Sequence, residues 1–424
     1  MSGHIQMDIS DSQGSKPPSP ATNEAWRTYL RYIIAAQFIS SLGFGFAAPF
    51  LPLFISEVGD LSNREAALWA GIIGGVSGTI MVVAGPIWGI LGDWFGYKRN
   101  VLRATFGTFA VFSLTAAVQN VLHILALRGF MGAVGGIFPA IMGLSSSLVP
   151  RAQLGYVIGL LYGVVYFGNT VGPLLGGYFV NAAGYRWGFL VSGLIIGLAG
   201  LIILLGVKEA PHPKSATSRR NIVAMWTEMK GLWTIPDVRR VLFVIFLVQL
   251  ANNFSIAIVP LFLNSLDADA KAPAVGIFFA LLGLAITIST YGAGVLAGRL
   301  KLQVVFLLGA SGAAAGALLM SFASSVPLAF GLSFVLGLGA GLLLTSSSAM
   351  IGLVLPPDRQ GFAFGMVQSA SALGFGIGPL LGGVFANAFG LHAPFLVQGA
   401  IFLALLPLGL IVARSRGRET GQPV

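Results

Sequence analysis

Long apolar runs, separated by short polar or charged segments, follow one another along almost the whole chain. A helix needs about 20 apolar residues to cross a bilayer core, and most of the runs reach that length. The runs lack the alternation of apolar and polar residues that is typical of barrel strands. We therefore predict an all-α membrane protein with twelve transmembrane helices, at residues 30–54, 66–91, 101–120, 121–148, 155–180, 186–207, 239–264, 273–297, 304–321, 326–354, 361–387 and 392–413.

Composition agrees with this class. Hydrophobic residues make up 56% of the chain and charged residues 9%, whereas a soluble domain carries about 25% charged residues. The 58 glycines suit membrane helices, because small residues let backbones approach closely. The chain has no cysteine, which excludes disulfides and thiolate metal sites, and it shows no nucleotide-binding loop or catalytic triad. We expect no enzyme activity, no metal and no cofactor.

The positive charges indicate the orientation. If the N-terminus lies inside, 20 of the 24 Lys and Arg residues fall on the cytoplasmic side; the exceptions are Arg64, Arg128, Arg186 and Lys271. This asymmetry follows the positive-inside rule and predicts that both termini are cytoplasmic. Topology thus explains the net charge of +10, and no nucleic-acid partner is expected.

The runs divide into two sets of six. The predicted parts are a disordered tail at 1–26, a bundle at 27–207, a linker at 208–238, a second bundle at 239–413 and a tail at 414–424. Within the linker, Ile222, Trp226, Met229 and Trp233 share one helical face near basic residues. This face predicts a short helix that lies either on the membrane surface or against the protein itself.

One glycine–proline pattern, G-x8-G-x3-G-P-x2-G-G, occurs twice, 206 residues apart. Its first copy is Gly159, Gly168, Gly172, Pro173, Gly176 and Gly177, and its second is Gly365, Gly374, Gly378, Pro379, Gly382 and Gly383. Glycines four apart on one helical face permit tight packing, and a proline inside a helix can kink it. Two homologous membrane halves around a central site are the architecture of a transporter.

The loop after the second run reads G-I-L-G-D-W-F-G-Y-K-R and contains Gly89, Asp93, Gly96, Lys98 and Arg99. It resembles the signature loop between helices 2 and 3 of the major facilitator superfamily. The glycine–proline pattern is similar to the helix 5 motif of the drug:proton antiporters in that superfamily. Pro49-Phe-Leu-Pro52 and Arg128-x3-Gly132 resemble two further motifs of the same group. The resemblance covers about residues 27–415 and implies two six-helix bundles.

In the family, the aspartate of the signature loop approaches the start of helix 11, here near Gly361. The resemblance therefore implies that Asp93 is a conformational latch between the halves on the cytoplasmic side. A carboxylate is favoured at a helix N-terminus, where unpaired N–H groups meet it. The alternative is that Asp93 only neutralises Lys98 and Arg99. The corresponding loop of the second half, 294–299, has lost its aspartate.

Arg128 is the one charge deep inside an apolar run. A buried Arg costs at least about 2.5 kcal/mol on insertion scales, so it should face a cavity and have a partner. We expect it to bind an anionic group or to tune proton movement. Alternatively, its side chain snorkels towards the outer surface.

No Asp, Glu or His lies in the middle of a run. This absence argues against a cationic substrate held by a buried acid and leaves proton coupling open. The neutral candidates for the substrate or proton pathway are Gln37, Ser41, Tyr162, Tyr166, Asn169, Gln249, Asn252, Asn253, Thr287 and Gln368. Any one of them can equally bond between helices. The favoured set is Gln249, Asn252 and Asn253, because spacings of three and four share a helical face.

The sequence thus predicts a secondary transporter, monomeric and resident in the cell membrane. We expect it to export small amphipathic compounds by alternating access, with the proton as counter-ion. The alternatives are an uptake or facilitative permease for a neutral or anionic metabolite and, less favoured, a non-transporting membrane receptor. The lipid bilayer and a small-molecule substrate are the expected partners.

Overall fold

A computed structural model describes residues 20–208, 233–267, 272–297, 299–354 and 360–419. Within these ranges the regular structure is helical, with no strand. The helices, numbered by the predicted run to which they belong, are α1a (Pro20–Ala47), α1b (Leu51–Gly59), α2 (Asn63–Phe95), α3 (Tyr97–Thr115), α4a (Val121–Val134), α4b (Ile137–Leu148), α5 (Arg151–Ala183), α6 (Tyr185–Gly206), α7a (Pro236–Phe254), α7b (Val259–Leu266), α8 (Ala272–Ala297), α9 (Leu302–Met320), α10 (Val326–Val354), α11 (Gln360–Phe389) and α12 (Ala393–Glu419).

Ten of the predicted runs are long and apolar enough to span a membrane by length and composition within the described residues. The third run is not among them because its helix, α3, carries three basic residues in its first two turns, Lys98, Arg99 and Arg103. The twelfth contributes a shorter apolar helix over Ala393–Leu408. The fold is therefore that of an all-α membrane protein.

Three of the predicted helices are interrupted, which the runs did not indicate. A 3-10 turn at Ala48–Phe50 separates α1a from α1b, because Pro49 and Pro52 each remove a backbone donor. Gly136, with a φ of 89°, separates α4a from α4b. The third interruption, between α7a and α7b, precedes Pro260 in the first turn of α7b.

The ends of the chain also differ from the prediction. The first helix begins at Pro20, within the segment predicted to be a tail, and proline is favoured in the first helical turn. The last helix continues to Glu419, so 414–419 is helical rather than a tail. The predicted helix near 222–233 lies almost wholly outside the described residues, as do 1–19 and 420–424.

The two halves of the chain meet through long antiparallel helix pairs. Helix α2 packs along α11, and α5 packs along α8. At one end of the molecule, a single buried core joins both halves and includes Phe50 of the 3-10 turn, Phe54 of α1b and Phe262 of α7b. At the other end, each half has a separate core. We call the end with the joint core the outer end and the end with the 89–99 loop the inner end.

Candidate functional site

Helices α2 and α11 touch backbone to backbone at the outer end. A Cβ atom built on Gly71 would lie 2.5 Å from the carbonyl oxygen of Pro379, and one on Gly383 would lie 2.6 Å from that of Ala67. Further inward, a Cβ on Gly78 would overlap the backbone of α11. Only glycine permits this approach, so α2 and α11 close the outer end on one side of the molecule.

Helices α5 and α8 make the repeat-related contact on the opposite side. A Cβ on Gly177 would lie 2.7 Å from the carbonyl oxygen of Ala272. A Cβ on Gly276 would overlap the carbonyl oxygen of Pro173, the proline of the glycine–proline pattern. The outer end is therefore closed by two glycine-mediated interfaces between the halves.

The same helices are separated at the inner end. A Cβ built on Gly85 or Gly89 of α2 meets no described atom within 4 Å, and the same holds for Gly159 of α5 and for Gly294 of α8. These glycines continue the faces that are in contact at the outer end. Among the described residues, the two interfaces are consequently closed at the outer end and open towards the inner end.

The double glycines of the pattern contact two helices at once. The second glycine of each pair, Gly177 or Gly383, faces the other half as described above. The first, Gly176 or Gly382, faces the interrupted helix of its own half, where a Cβ would overlap the carbonyl oxygen of Phe46 or Phe254 respectively. These carbonyls lie at the ends of α1a and α7a, so both breaks are packed against a motif glycine.

The remaining motif glycines tie the same helices together further inward. A Cβ on Gly172 would lie 2.7 Å from the carbonyl oxygen of Leu42, and one on Gly378 would lie 2.9 Å from that of Leu250. The preceding motif glycines with an equivalent contact are Gly168 and Gly374. The side-chain environment of Gly365 lies outside what the structure describes.

Asp93 lies at the inner end of α2 with an exposed side chain. The Tyr97 hydroxyl, on the first residue of α3, donates a hydrogen bond to its carboxylate. Gly96 forms the turn between the two helices with a φ of 102°, a value that favours glycine. In this inward-open conformation, the carboxylate of the predicted latch is thus held next to α3.

The two cations of the loop have different surroundings. The Lys98 Nζ donates to the carbonyl oxygen of Leu204 at 2.8 Å, near the C-terminus of α6, where a cation is favoured by the helix dipole. Arg99 is exposed. Lys98 therefore ties the loop to α6, a contact that the sequence did not predict.

Arg128 is buried within the N-terminal bundle, with 4% of its surface exposed. Its guanidinium lies over the ring of Phe112 at 4.8 Å, and its Nη1 lies 3.5 Å from the Met131 sulfur. Nε and Nη2 have no hydrogen-bond partner among the described residues. The snorkelling alternative does not describe this side chain, because a snorkelling Arg reaches the surface.

The break in α4 is held by side chains that the sequence reasoning missed. Trp88 Nε1 donates to the carbonyl oxygen of Ala133 at 2.6 Å, and Arg103 Nη1 donates to that of Val134 at 2.8 Å. The Arg103 guanidinium also lies 3.7 Å from the Trp88 ring centre. Freed carbonyls at membrane depth require such donors. The Gly-Gly sequence at 135–136 was the available signal for the break.

The polar candidates of the N-terminal half differ in how far their side chains are exposed. Gln37 is buried and donates to the Ser41 hydroxyl at 2.9 Å. Tyr162 is 42% exposed, and its ring centre lies 4.8 Å from that of Phe138 and 6.4 Å from that of Tyr166. The one candidate that remains, Asn169, is exposed.

In the C-terminal half, the favoured trio is largely directed at α11. Asn253 is buried, donates to the carbonyl oxygen of Gln249 at 2.8 Å and lies against Gly378. Asn252 is partly exposed, and its Nδ2 has no hydrogen-bond partner in the described part of the chain. The side chain of Gln368 lies outside what the structure describes. The trio therefore does not form one open polar face.

Comparison with known proteins agrees with this architecture. A sequence profile described as Major Facilitator Superfamily matches residues 33–306 and 241–423. The multidrug resistance protein MdtG of Escherichia coli is 27% identical over 392 residues, which cover 91% of this chain and 95% of that protein. The MFS-type transporter YuxJ of Bacillus subtilis is 28% identical over 374 residues, covering 87% and 94%.

Solved transporters share the fold at low sequence identity. The nucleoside transporter NupG aligns with a TM-score of 0.75 and 13% identity, covering 91% of this chain and 99% of that one. The human organic anion transporter MFSD10 aligns with a TM-score of 0.64 and 18% identity, covering 93% and 100%. Together with the family match, this makes the protein a multi-pass membrane transporter rather than an enzyme. The chain belongs to the Major Facilitator Superfamily.

Proposed function

We propose that the protein exports small amphipathic compounds across the cell membrane by alternating access, as a monomer with both termini in the cytoplasm and with the proton as counter-ion. The observation that carries the proposal is the contrast between the outer and inner ends of the α2/α11 and α5/α8 interfaces. Backbones touch at the outer end, whereas the corresponding glycines are uncovered at the inner end. The printed name of MdtG, a multidrug resistance protein, supports amphipathic compounds as the substrate class.

The register of the outer contacts predicts what meets when the inner end closes. In the α2/α11 interface, Gly71 meets Gly383 and Gly78 meets Gly376. Each step of seven residues along α2 thus corresponds to seven residues back along α11. Continued to the inner end, the same register places Gly89 opposite Gly365 and Asp93 opposite Gly361.

This register supports the role of Asp93 as a latch. Gly361 lies in the first turn of α11, which begins at Gln360, where unpaired N–H groups and the helix dipole favour a carboxylate. In the inward-open state the Asp93 carboxylate accepts a hydrogen bond from Tyr97 instead. Closure of the inner end would exchange Tyr97 for the α11 N-terminus.

The α5/α8 interface gives an equivalent result. There Pro173 meets Gly276 and Thr170 meets Gly283. Eleven residues further inward from Thr170 on α5 and from Gly283 on α8, Gly159 lies opposite Gly294, and a Cβ on either meets no described atom within 4 Å. The first glycine of each repeated pattern, Gly159 or Gly365, would therefore allow the two halves to touch when the inner end closes.

Substrate recognition is assigned to neutral and aromatic groups near the inner opening. Tyr162, Tyr166 and Phe138 form an aromatic cluster with a partly exposed member. Arg128 lies deeper, buried against Phe112 and Met131 on the side of the joint core. It would supply a positive charge there, since two of its nitrogen atoms are without a partner among the described residues. We expect neutral, anionic or zwitterionic amphiphiles to be preferred over permanent cations.

A facilitative permease for a neutral or anionic metabolite is the second candidate. The observation in its favour is that the carboxylates of the chain lie in tails, loops or helix ends, so no mid-membrane carboxylate carries a proton. Such a protein would equilibrate its substrate without concentrating it.

Accumulation in everted membrane vesicles separates the two candidates. The probe is radiolabelled chloramphenicol, a neutral amphipathic compound, measured with and without an uncoupler that collapses the proton gradient. Accumulation above the equilibrium level that the uncoupler abolishes is the expected result. Equilibration to the same level with and without uncoupler would support the permease, and no difference from vesicles lacking the protein would reject chloramphenicol-type export.

A further inference from the structure

A buried side-chain amide bridges the break in the seventh transmembrane helix. Gln398 of α12 donates through Nε2 to the carbonyl oxygen of Ala251 at 2.9 Å. Its Oε1 accepts a hydrogen bond from the Ser255 hydroxyl at 2.7 Å. Gln398 is 2% exposed and Ser255 3% exposed. One amide thus spans the four-residue interval in which α7a ends.

The bridge supplies a hydrogen bond to a backbone carbonyl at the end of α7a, next to the break. Ala251 lies in the last turn of α7a, which ends at Phe254, and the last four carbonyls of a helix have no intrahelical partner. No water in the bilayer core can replace that partner. On another side of α7a, Gly382 packs against the carbonyl oxygen of Phe254. The break that follows α7a is therefore held by α11 on one side and by α12 on another.

The N-terminal half has a counterpart at the repeat-related position. Ser192 of α6, 206 residues before Gln398, is fully buried and donates to the carbonyl oxygen of Gly43 at 2.5 Å. Gly43 lies in the last turns of α1a, 208 residues before Ala251. The motif contacts of Phe46 and Phe254 have that same offset of 208 residues. Both halves thus hold their interrupted helix by a hydrogen bond from their last helix.

The segments beyond these breaks form the outer closure. Helices α1b and α7b contact each other across the two halves, and their residues Phe54, Leu261 and Phe262 are fully buried in the joint core. The orientation of α7b depends on the break that precedes it. A loose break would let α7b leave the joint core.

We propose that Gln398, together with Ser255, is a positioning residue that holds α7b in the closed outer gate, and that Ser192 does the same for α1b. The proposal rests on alternating access but not on the identity of the substrate. Weakening the bridge should favour opening of the outer end without loosening the rest of the molecule.

The natural lack of cysteine makes single-cysteine labelling a direct test. Ala70 of α2, 4% exposed in the joint core, becomes an outer reporter in an Ala70→Cys variant. Gly155, where a Cβ meets no described atom within 4 Å, becomes an inner reporter as Gly155→Cys. The probe is a membrane-impermeant maleimide, applied to right-side-out vesicles for the outer reporter and to everted vesicles for the inner one.

Gln398→Met removes both hydrogen bonds at nearly constant side-chain length. We expect the outer reporter to be labelled about fivefold faster, the change that corresponds to the net loss of about one hydrogen bond, while the inner reporter is labelled no faster. Ser255→Ala should act in the same direction, and the double variant should not exceed the larger single effect, because both residues belong to one bridge. Ser333→Ala is the matched control, since among the described residues its buried hydroxyl donates to the carbonyl oxygen of Phe330 in its own helix and to no other helix.

Unchanged labelling of the outer reporter in Gln398→Met would overturn the proposal, and so would faster labelling of both reporters, which means general loosening. If Gln398→Met does not fold, Ser255→Ala and Ser192→Ala decide in the same way, because each removes only a hydroxyl. Alternating access itself is judged separately, on whether the outer reporter of the otherwise unchanged protein is labelled at all.

Discussion

The contact between Gly382 and the end of α7a gives the sharpest prediction. In Gly382→Ala, the new methyl group would overlap the Phe254 carbonyl oxygen. The obstacle is backbone rather than the end of a flexible side chain. On another side of the same helix turn, Gln398 holds the neighbouring carbonyl of Ala251. The α7a backbone consequently has little room to retreat.

Two opposing effects decide the magnitude. Alanine is favoured over glycine in a helix interior by about 1 kcal/mol. Inserting a methyl group into a packed interface costs about 1–3 kcal/mol, and more where the neighbours cannot shift. Because the overlap here is with a fixed backbone atom, we expect the steric cost to dominate. With a steric cost at the upper end of that range, the net destabilisation should be about 2 kcal/mol after the helix preference for alanine is subtracted, with α11 displaced from α7a.

The measurement is the thermal unfolding midpoint of the purified protein in detergent, combined with vesicle transport. Gly331→Ala is the matched control, because a Cβ at Gly331 of α10 meets no described atom within 4 Å and should be neutral or slightly stabilising. Gly382→Ala should lower the midpoint and slow transport. A midpoint equal to or above that of Gly331→Ala would refute the reasoning, since it would mean that helix propensity outweighs the contact.

Substitutions at four further positions test other parts of the site. Asp93→Asn should strongly slow transport while leaving membrane insertion intact, because a neutral amide loses the charge that favours the α11 N-terminus; near-normal transport by a well-expressed variant would reject the latch. Gly172→Leu and Gly378→Leu should each impair transport without changing substrate preference, and a new preference at full rate would assign these positions to the pocket. Arg128→Ala should nearly eliminate transport, and anionic analogues should no longer inhibit the remaining transport better than cationic ones. Arg128→Lys should retain part of the activity, because lysine keeps the charge but lacks the planar guanidinium. Full activity of both variants would remove Arg128 from the site.

The sequence predicted the class of fold because its signals are local and repeated. Apolar runs of membrane-spanning length and the family motifs led to the twelve-helix fold, which the family match and the solved relatives confirm. The breaks in α1, α4 and α7 were missed because a hydropathy run does not respond to a turn of a few residues. Pro49, Gly135 and Gly136 were visible, but in membrane helices these residue types also occur without a break.

The site was predicted less completely, since burial and partners depend on tertiary contacts. The spacing of Gln249, Asn252 and Asn253 indicated one shared face, but it did not indicate that this face lies against α11. The repeated pattern located the motif glycines, but which neighbour each one touches required the structure. Trp88 and Arg103 gave no signal of their own, because their role depends on a break in a different helix.

Closure of the inner end by α5 and α8 is the central claim, and one cysteine pair tests it most directly. Gly159→Cys and Gly294→Cys place two thiols in a chain without other cysteines, at positions where a Cβ meets no described atom within 4 Å. The account predicts that an oxidant forms a disulfide between them during turnover, that the disulfide stops transport, and that a reductant restores it. A pair that never forms a disulfide in actively transporting protein, or one whose disulfide leaves transport unaffected, would contradict alternating access through this interface.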